Sequence, residues 1–247
     1  MDQLNSMWHT MRDHVSIHLP GLDKQTSETS SLIDRIYKYY YLKFLSILDP
    51  LIFNGPMIEL GSGKGYLKKY LPAIITSEVR QLPGNDLVMN AQDLGLASSS
   101  VSVFFLLNVF HHIPDTDSFL KEVERCLKPG GVLVMIEPAF TRWVFLARKI
   151  FSENVTKLFC DPSECNIARS WHVFVRHKKK FMLDFPRLII QRYERFSPLN
   201  GQTVLCNKHS FLSSCKRFVL RVLGYLVAPV YMMLGDHVVI EIVKKKP

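Results

Sequence analysis

The stretch Ser100–Asn108 opens with apolar and polar residues in alternation and then becomes wholly apolar through Phe104-Phe105-Leu106-Leu107. That pattern predicts a strand buried on both faces. Shorter apolar runs at Met57–Leu60, Ala73–Glu78 and Val132–Pro138 predict three more strands, and Asp86–Leu94 reads as another with its exit loop. Arg187–Phe196 and Asp236–Val243 complete a set of seven. Helical spacing appears over Ser31–Leu48, which is rich in aromatics, and over Ser118–Leu127, where Phe119, Leu120, Val123 and Leu127 share one stripe. Thr116 or Asp117 is the expected cap of the latter, and Lys128-Pro129-Gly130-Gly131 its stop. Tyr66–Leu71 reads as the start of a helix ended by Pro72. The loop after Glu78, with Pro83-Gly84, leaves little room for a helix between the second and third strands.

The first of these strands runs into Glu59-Leu60-Gly61-Ser62-Gly63-Lys64-Gly65. A strand that turns into a helix through glycines lets a ligand approach bare backbone. Three glycine patterns compete. A phosphate loop needs Ser or Thr after Gly-Lys, and Gly65 stands there. A dinucleotide fingerprint needs a third glycine where this chain has Tyr66. The pattern E-x-G-x-G-x-G fits, and it sets the Glu59 carboxylate beside the turn, where it can hold the loop or meet an ammonium group. A ligand that carries an amino-acid moiety and no pyrophosphate suits that chemistry. Glu78, at the end of the second strand, is the candidate for ribose hydroxyls.

The glycine pattern resembles the first motif of the class I S-adenosylmethionine-dependent methyltransferases, of the type 11-like kind. Three further segments follow in that family's order: Asn90-Ala91-Gln92-Asp93-Leu94, Asn108 followed by His111-His112-Ile113-Pro114, and Leu127-Lys128-Pro129-Gly130-Gly131 leading into Glu137-Pro138. The resemblance covers roughly residues 55–140 and departs from the family at Asn90, where an acid is usual. It implies a Rossmann-like α/β fold: a seven-stranded, mostly parallel sheet with helices on both faces and one antiparallel strand near the C-terminus. It implies S-adenosylmethionine as cofactor, held by Glu59, Gly61, Ser62, Gly63, Gly65, Glu78, Asn90, Ala91, Gln92 and Asn108. His111 and His112, beyond the fourth strand, have the chemistry of a general base. The implied organisation is one domain: a helical cap over 1–54, a donor-binding core over 55–140, a variable substrate-side insertion over 141–185, and C-terminal strands with an apolar helix over 186–247.

A hydrophobic fraction of 47% over 247 residues allows one substantial core. Five cysteines, odd in number and without C-x-x-C spacing, and the lack of an apolar opening segment favour a reducing cytosol. Cys160, Cys165, His172 and His177 match no standard zinc spacing, so no metal is expected. The net charge is +9, with basic runs at Arg176–Lys180 and Lys244–Lys246. These runs suit a solvated face or phosphate groups, and the absence of basic–aromatic interleaving disfavours nucleic acid. The uncharged stretch Val222–Gly235 is too short to span a bilayer. It reads as part of a core helix over Phe211–Leu234 or as an interfacial helix, the latter placing the chain at the inner face of a membrane. The expected activity is methyl transfer to an oxygen or nitrogen of a small molecule, sugar or lipid-linked intermediate. The alternative is a methyltransferase-like protein that binds the donor without catalysis.

Overall fold

In the computed structural model, residues 32–48, 55–139, 168–196 and 237–247 are described. Helix α1 (Leu32–Ile47) precedes strands β1 (Met57–Leu60), β2 (Ile75–Glu78), β3 (Leu87–Val88) and β4 (Val101–Leu107). Helix α2 (Thr116–Cys126) and strand β5 (Leu127–Pro138) follow. The single turn α3 (Arg169–Trp171) runs through a π-helical turn (His172–Arg176) towards helix α4 (Lys178–Asp184). Strands β6 (Leu188–Phe196) and β7 (His237–Lys244) close the described elements.

The seven strands form one sheet in the order β3-β2-β1-β4-β5-β7-β6. Strands β1 to β5 pair in parallel, and β7 runs antiparallel to both β5 and β6. The expected architecture, with one reversed strand near the C-terminus, is therefore present. The chain builds outwards from β1 to β3 and then returns to lay β4 on the other side of β1. A crevice opens at such a reversal because the two connections leave in opposite directions.

Alternate residues of the central strands divide into two cores. Ile58, Leu60, Phe104 and Leu106 meet Phe119, Leu120 and Val123 of α2, together with Phe174 and Phe181, on one face. Met57, Val103, Phe105 and Leu107 meet Tyr40, Tyr41, Phe44 and Leu45 of α1 on the other. Phe44 lies edge-on to Phe105, with ring centroids 5.2 Å apart. The period of two, wholly apolar in β4, is what a sheet covered by helices on both faces requires.

Four details differ from the sequence reading. Tyr66–Lys69 forms one 3₁₀ turn rather than the start of a longer helix. Pro72 disfavours helical backbone at Leu71, and Leu67 and Leu71 are already buried within that single turn. The cap of α2 is Asp115, not Thr116 or Asp117: its carboxylate accepts the amides of Asp117 at 3.1 Å and Ser118 at 3.0 Å. Strand β5 begins at Leu127, ahead of the Gly-Gly pair, because Leu127 already pairs with Val101 across a bulge. The third strand shrinks to two residues. The connection between β2 and β3 carries no helix, as expected. Residues 1–31, the larger part of the substrate-side insertion (141–167) and the apolar stretch Phe211–Leu234 lie outside the described residues, as do Cys160 and Cys165.

Candidate functional site

The glycine turn follows β1 at the reversal of the sheet. Gly61, Gly63 and Gly65 all have left-handed backbone, with φ of 68°, 56° and 66°. Gly61 has a second reason to lack a side chain, since a Cβ there would stand 2.5 Å from Cγ2 of Val109. The turn is tied to β2 by paired serines. Ser62 Oγ donates to the Glu59 carbonyl at 2.9 Å and accepts the Ser77 amide at 3.1 Å, while Ser77 Oγ donates to the same carbonyl at 3.0 Å. Glu78 Oε1 accepts the Gly63 amide at 2.8 Å, and Asn85 Nδ2 donates to the Gly63 carbonyl at 2.9 Å. Glu78 is thus at the turn, half-buried, and holds it. Beneath β2, the Asp86 carboxylate accepts the Thr76 amide and hydroxyl and pairs with Lys68. Burial, the largest single effect, raises the Asp86 carboxyl, but the Lys68 and Thr76 hydrogen bonds together outweigh it and hold the group below the ordinary carboxylate range.

The turn floors a crevice of about 330 Å³ walled by Tyr37, Tyr41, Glu59, Tyr66 and Leu107. Helix α1 therefore both packs on the sheet and forms one side of this crevice. Glu59 is 1% exposed, and its Oε2 has no hydrogen-bond partner among the described residues. Burial pushes its carboxyl from 4.5 up to about 8; the Glu78 charge adds to this and the Ser62 hydroxyl opposes it. Burial also holds the Tyr41 hydroxyl above its ordinary range, with the Glu59 charge adding to the effect.

The fourth strand ends at Asn108, whose φ of 56° is rare for any residue but glycine. Its buried Oδ1 is unpartnered among the described residues. Beyond it, Phe110–His112 forms a 3₁₀ turn capped by a carboxylate from the end of β5. Glu137 Oε1 accepts the amides of Val109 at 2.9 Å and Phe110 at 2.8 Å, and Oε2 lies 2.6 Å from His111 Nδ1. Because an ionised carboxylate only accepts, this bond assigns the proton of a neutral His111 ring to Nδ1 and leaves a lone pair on Nε2. That Nε2 is buried with no partner among the described residues. The two histidines part company here: His111 is buried and His112 is exposed.

Asn90, Ala91 and Gln92 leave β3 along the same edge of the sheet. Asn90 Oδ1 accepts the Gln92 amide at 3.0 Å, and Gln92 Oε1 accepts the Asp115 amide at 2.8 Å, so their side-chain oxygens shape the loop. Ala91 packs on the core. His172 and His177 stack with ring centroids 6.3 Å apart, but no group of three metal-ligating side chains gathers among the described residues. Sequence reasoning missed Glu137, Tyr37 and Tyr41 as members of the site. Glu137 had a signal: it is the lone charge in the apolar run Val132–Pro138, and the fold buries it completely.

Residues 58–135 match the family model for a methyltransferase domain. No curated protein matches the chain. Among solved structures, geranyl diphosphate C-methyltransferase from Streptomyces coelicolor aligns at 15% identity over 98% of this chain and 97% of that one, with a TM-score of 0.51. A chain of the complex between the Haloferax volcanii Trm112 methyltransferase activator and a methyltransferase aligns at 14% identity over 87% and 92%, with a TM-score of 0.53. An S-adenosylmethionine-dependent methyltransferase from Thermotoga maritima aligns at 20% identity over 85% and 92%, with a TM-score of 0.50. These likenesses are of fold, and the family match covers the glycine turn, the Asn108 edge and most of β5. The segment that builds the crevice is thus the part of the chain that matches a methyltransferase domain.

Proposed function

We propose that this chain transfers the methyl group of S-adenosylmethionine to an oxygen or nitrogen of a small acceptor bound above His111. The observation that carries the reading is the Glu59 carboxylate, buried in the glycine crevice with an unpartnered oxygen. A buried carboxylate without a partner is costly and calls for a cationic ligand group. The crevice fits the donor in other respects. The Gly63 position has nothing within 4 Å of where a Cβ would stand, so backbone is open to a ligand. Tyr37, Tyr41 and Tyr66 offer ring surface.

In this reading Glu59 holds the donor's ammonium, Glu78 its ribose hydroxyls, and the Asn90–Gln92 loop its adenine. The bound donor supplies a methyl group on a sulfonium that leaves as a neutral thioether. The chain's own residues align the acceptor with that bond and exclude water. His111 Nε2 takes the acceptor's proton, while Glu137 fixes the ring and its tautomer. His112, exposed on the same turn, orients the loop. The exposed basic run Arg176–Lys180 suits a lipid-linked or otherwise anionic acceptor at a membrane surface, in a cytoplasmic setting.

Calorimetry with S-adenosylmethionine and S-adenosylhomocysteine tests the donor site, and transfer of a tritiated methyl group into cell extract tests catalysis. Binding of neither nucleoside would refute the reading. Binding without any transfer would leave a donor-binding scaffold.

A further inference from the structure

The turn at Arg169–Trp171 packs on the Phe110–His112 turn, and Phe174 stacks on Phe110 with ring centroids 5.3 Å apart. This brings Arg169 into the electrostatic neighbourhood of Glu137 without an ion pair between them. Its Nη1 is shut from solvent and has no hydrogen-bond partner among the described residues. Burial holds the guanidinium below the ordinary arginine range, and the Glu137 charge only partly opposes this. Two more buried atoms without partners, His111 Nε2 and Asn108 Oδ1, belong to the same edge of the sheet. A shielded guanidinium nitrogen with unused protons is a costly feature unless a ligand completes it. Guanidinium geometry matches a carboxylate or phosphate oxygen pair.

We propose that Arg169 anchors an anionic group of the methyl acceptor, a carboxylate or a phosphate, so that the acceptor's hydroxyl or amine faces His111. The placement of an acceptor at this edge rests on the methyl-transfer reading; the anion site itself does not. Glu137 is committed to the Val109 and Phe110 amides and to His111. It is therefore not available as a full counter-ion, which leaves the guanidinium to an incoming anion.

The test titrates the full-length chain, saturated with S-adenosylhomocysteine, with inorganic phosphate in one arm and succinate in the other at constant ionic strength. Wild-type protein should bind at least one of these at millimolar concentrations. Arg169→Gln should weaken that binding tenfold or more, and Arg169→Lys should keep part of it. Lys121→Gln, exposed on α2, should leave it unchanged. S-adenosylhomocysteine affinity should be the same in all four proteins. Arg169→Met should melt no lower than wild type, because it removes a partly buried cation whose shielded Nη1 has no partner among the described residues. Equal anion binding by wild type and Arg169→Gln, or no binding of either anion by wild type, overturns the proposal. A lower melting temperature of Arg169→Met, with loss of S-adenosylhomocysteine binding, also overturns it by making the residue structural. Failure of S-adenosylhomocysteine to bind, while phosphate or succinate binding still depends on Arg169, would end the methyl-transfer reading and leave the anion site standing.

Discussion

Replacing Glu59 with Gln should move stability and donor affinity in opposite directions, and pH separates the two effects. Burial raises the Glu59 carboxyl from 4.5 to about 8. Below pH 4.5 both the folded and unfolded forms carry the proton and the group contributes nothing. Between pH 4.5 and 8 the unfolded chain ionises first and so binds fewer protons, and stability falls as pH rises. Above pH 8 the whole penalty is present, about 5 kcal/mol at 1.36 kcal/mol per pKa unit. Glu59→Gln removes that penalty, so the ligand-free variant should gain several kcal/mol over wild type at pH 9 and little at pH 5, as read by urea denaturation. Donor binding has the reverse sign. An ammonium placed against Glu59 favours the ionised carboxylate, so binding below pH 8 expels a proton. Affinity for S-adenosylhomocysteine should rise about tenfold per pH unit towards pH 8 and then level off. Calorimetry in buffers of different ionisation enthalpy should count close to one proton released at pH 6.5. The Gln variant should release none, show a flat profile, and bind about 10- to 100-fold more weakly at pH 8, the worth of a hydrogen bond to a charged group. A variant that keeps the wild-type pH slope, or that loses stability at pH 9, would refute the argument that Glu59 is a buried acid awaiting a cation.

Gly61→Ala combines a φ of 68° with a Cβ 2.5 Å from Val109. It should cost about 1–2 kcal/mol from backbone handedness alone and weaken S-adenosylhomocysteine binding, with Val109→Ala relieving only the contact; thermal melts and calorimetry on the double variant check this. His111→Asn and His111→Ala should lower methyl transfer by about 10²- to 10⁴-fold at unchanged donor affinity, whereas His112→Ala should stay near wild type; equal losses at the two positions would remove the base role from His111. Glu137→Ala strands the amides of Val109 and Phe110, two buried groups that its carboxylate satisfies. A loss of about 2–4 kcal/mol in denaturant unfolding is expected.

The sheet was legible because its signal is local. Seven apolar runs of strand length, the glycine turn and the Lys-Pro-Gly-Gly break all sit within single segments, and all seven strands are present. The shortness of the β2–β3 connection was equally visible, since Pro83-Gly84 cannot continue a helix. What the sequence concealed is set by tertiary register. Asp115 and Thr116 are both competent caps, and only the extended backbone at Asp115, with φ of −104°, decides between them. Tyr37 and Tyr41 stand four residues apart in the aromatic-rich helix, and nothing in that spacing says that their face ends over a crevice. His111 and His112 are adjacent and chemically identical, so only the partner 26 positions away, Glu137, tells the inward one from the outward one.

The buried polar groups near the glycine turn and the β4 edge sort into two sets with different energetic standing. Ser62, Ser77, Thr76 and the Gly63 amide all have partners at 2.8–3.1 Å, and they lock the turn to β2. Glu59 Oε2, Asn85 Oδ1, Asn108 Oδ1, His111 Nε2, Arg169 Nη1 and Ser170 Oγ have none among the described residues. A core selected for stability alone would not keep six such atoms, each costing about 1–3 kcal/mol unpaired. Three of them extend from the ends of β1 and β4, where a parallel sheet of this order opens to ligands. Arg169 and Ser170 belong to the turn packed on that edge, and Asn85 to the loop that holds the glycine turn. The satisfied set explains how a three-glycine loop keeps one shape. The unsatisfied set has the charges and lone pairs that the proposed site needs from outside: an acid for a cation, a guanidinium for an anion, and a histidine whose free nitrogen can accept a proton.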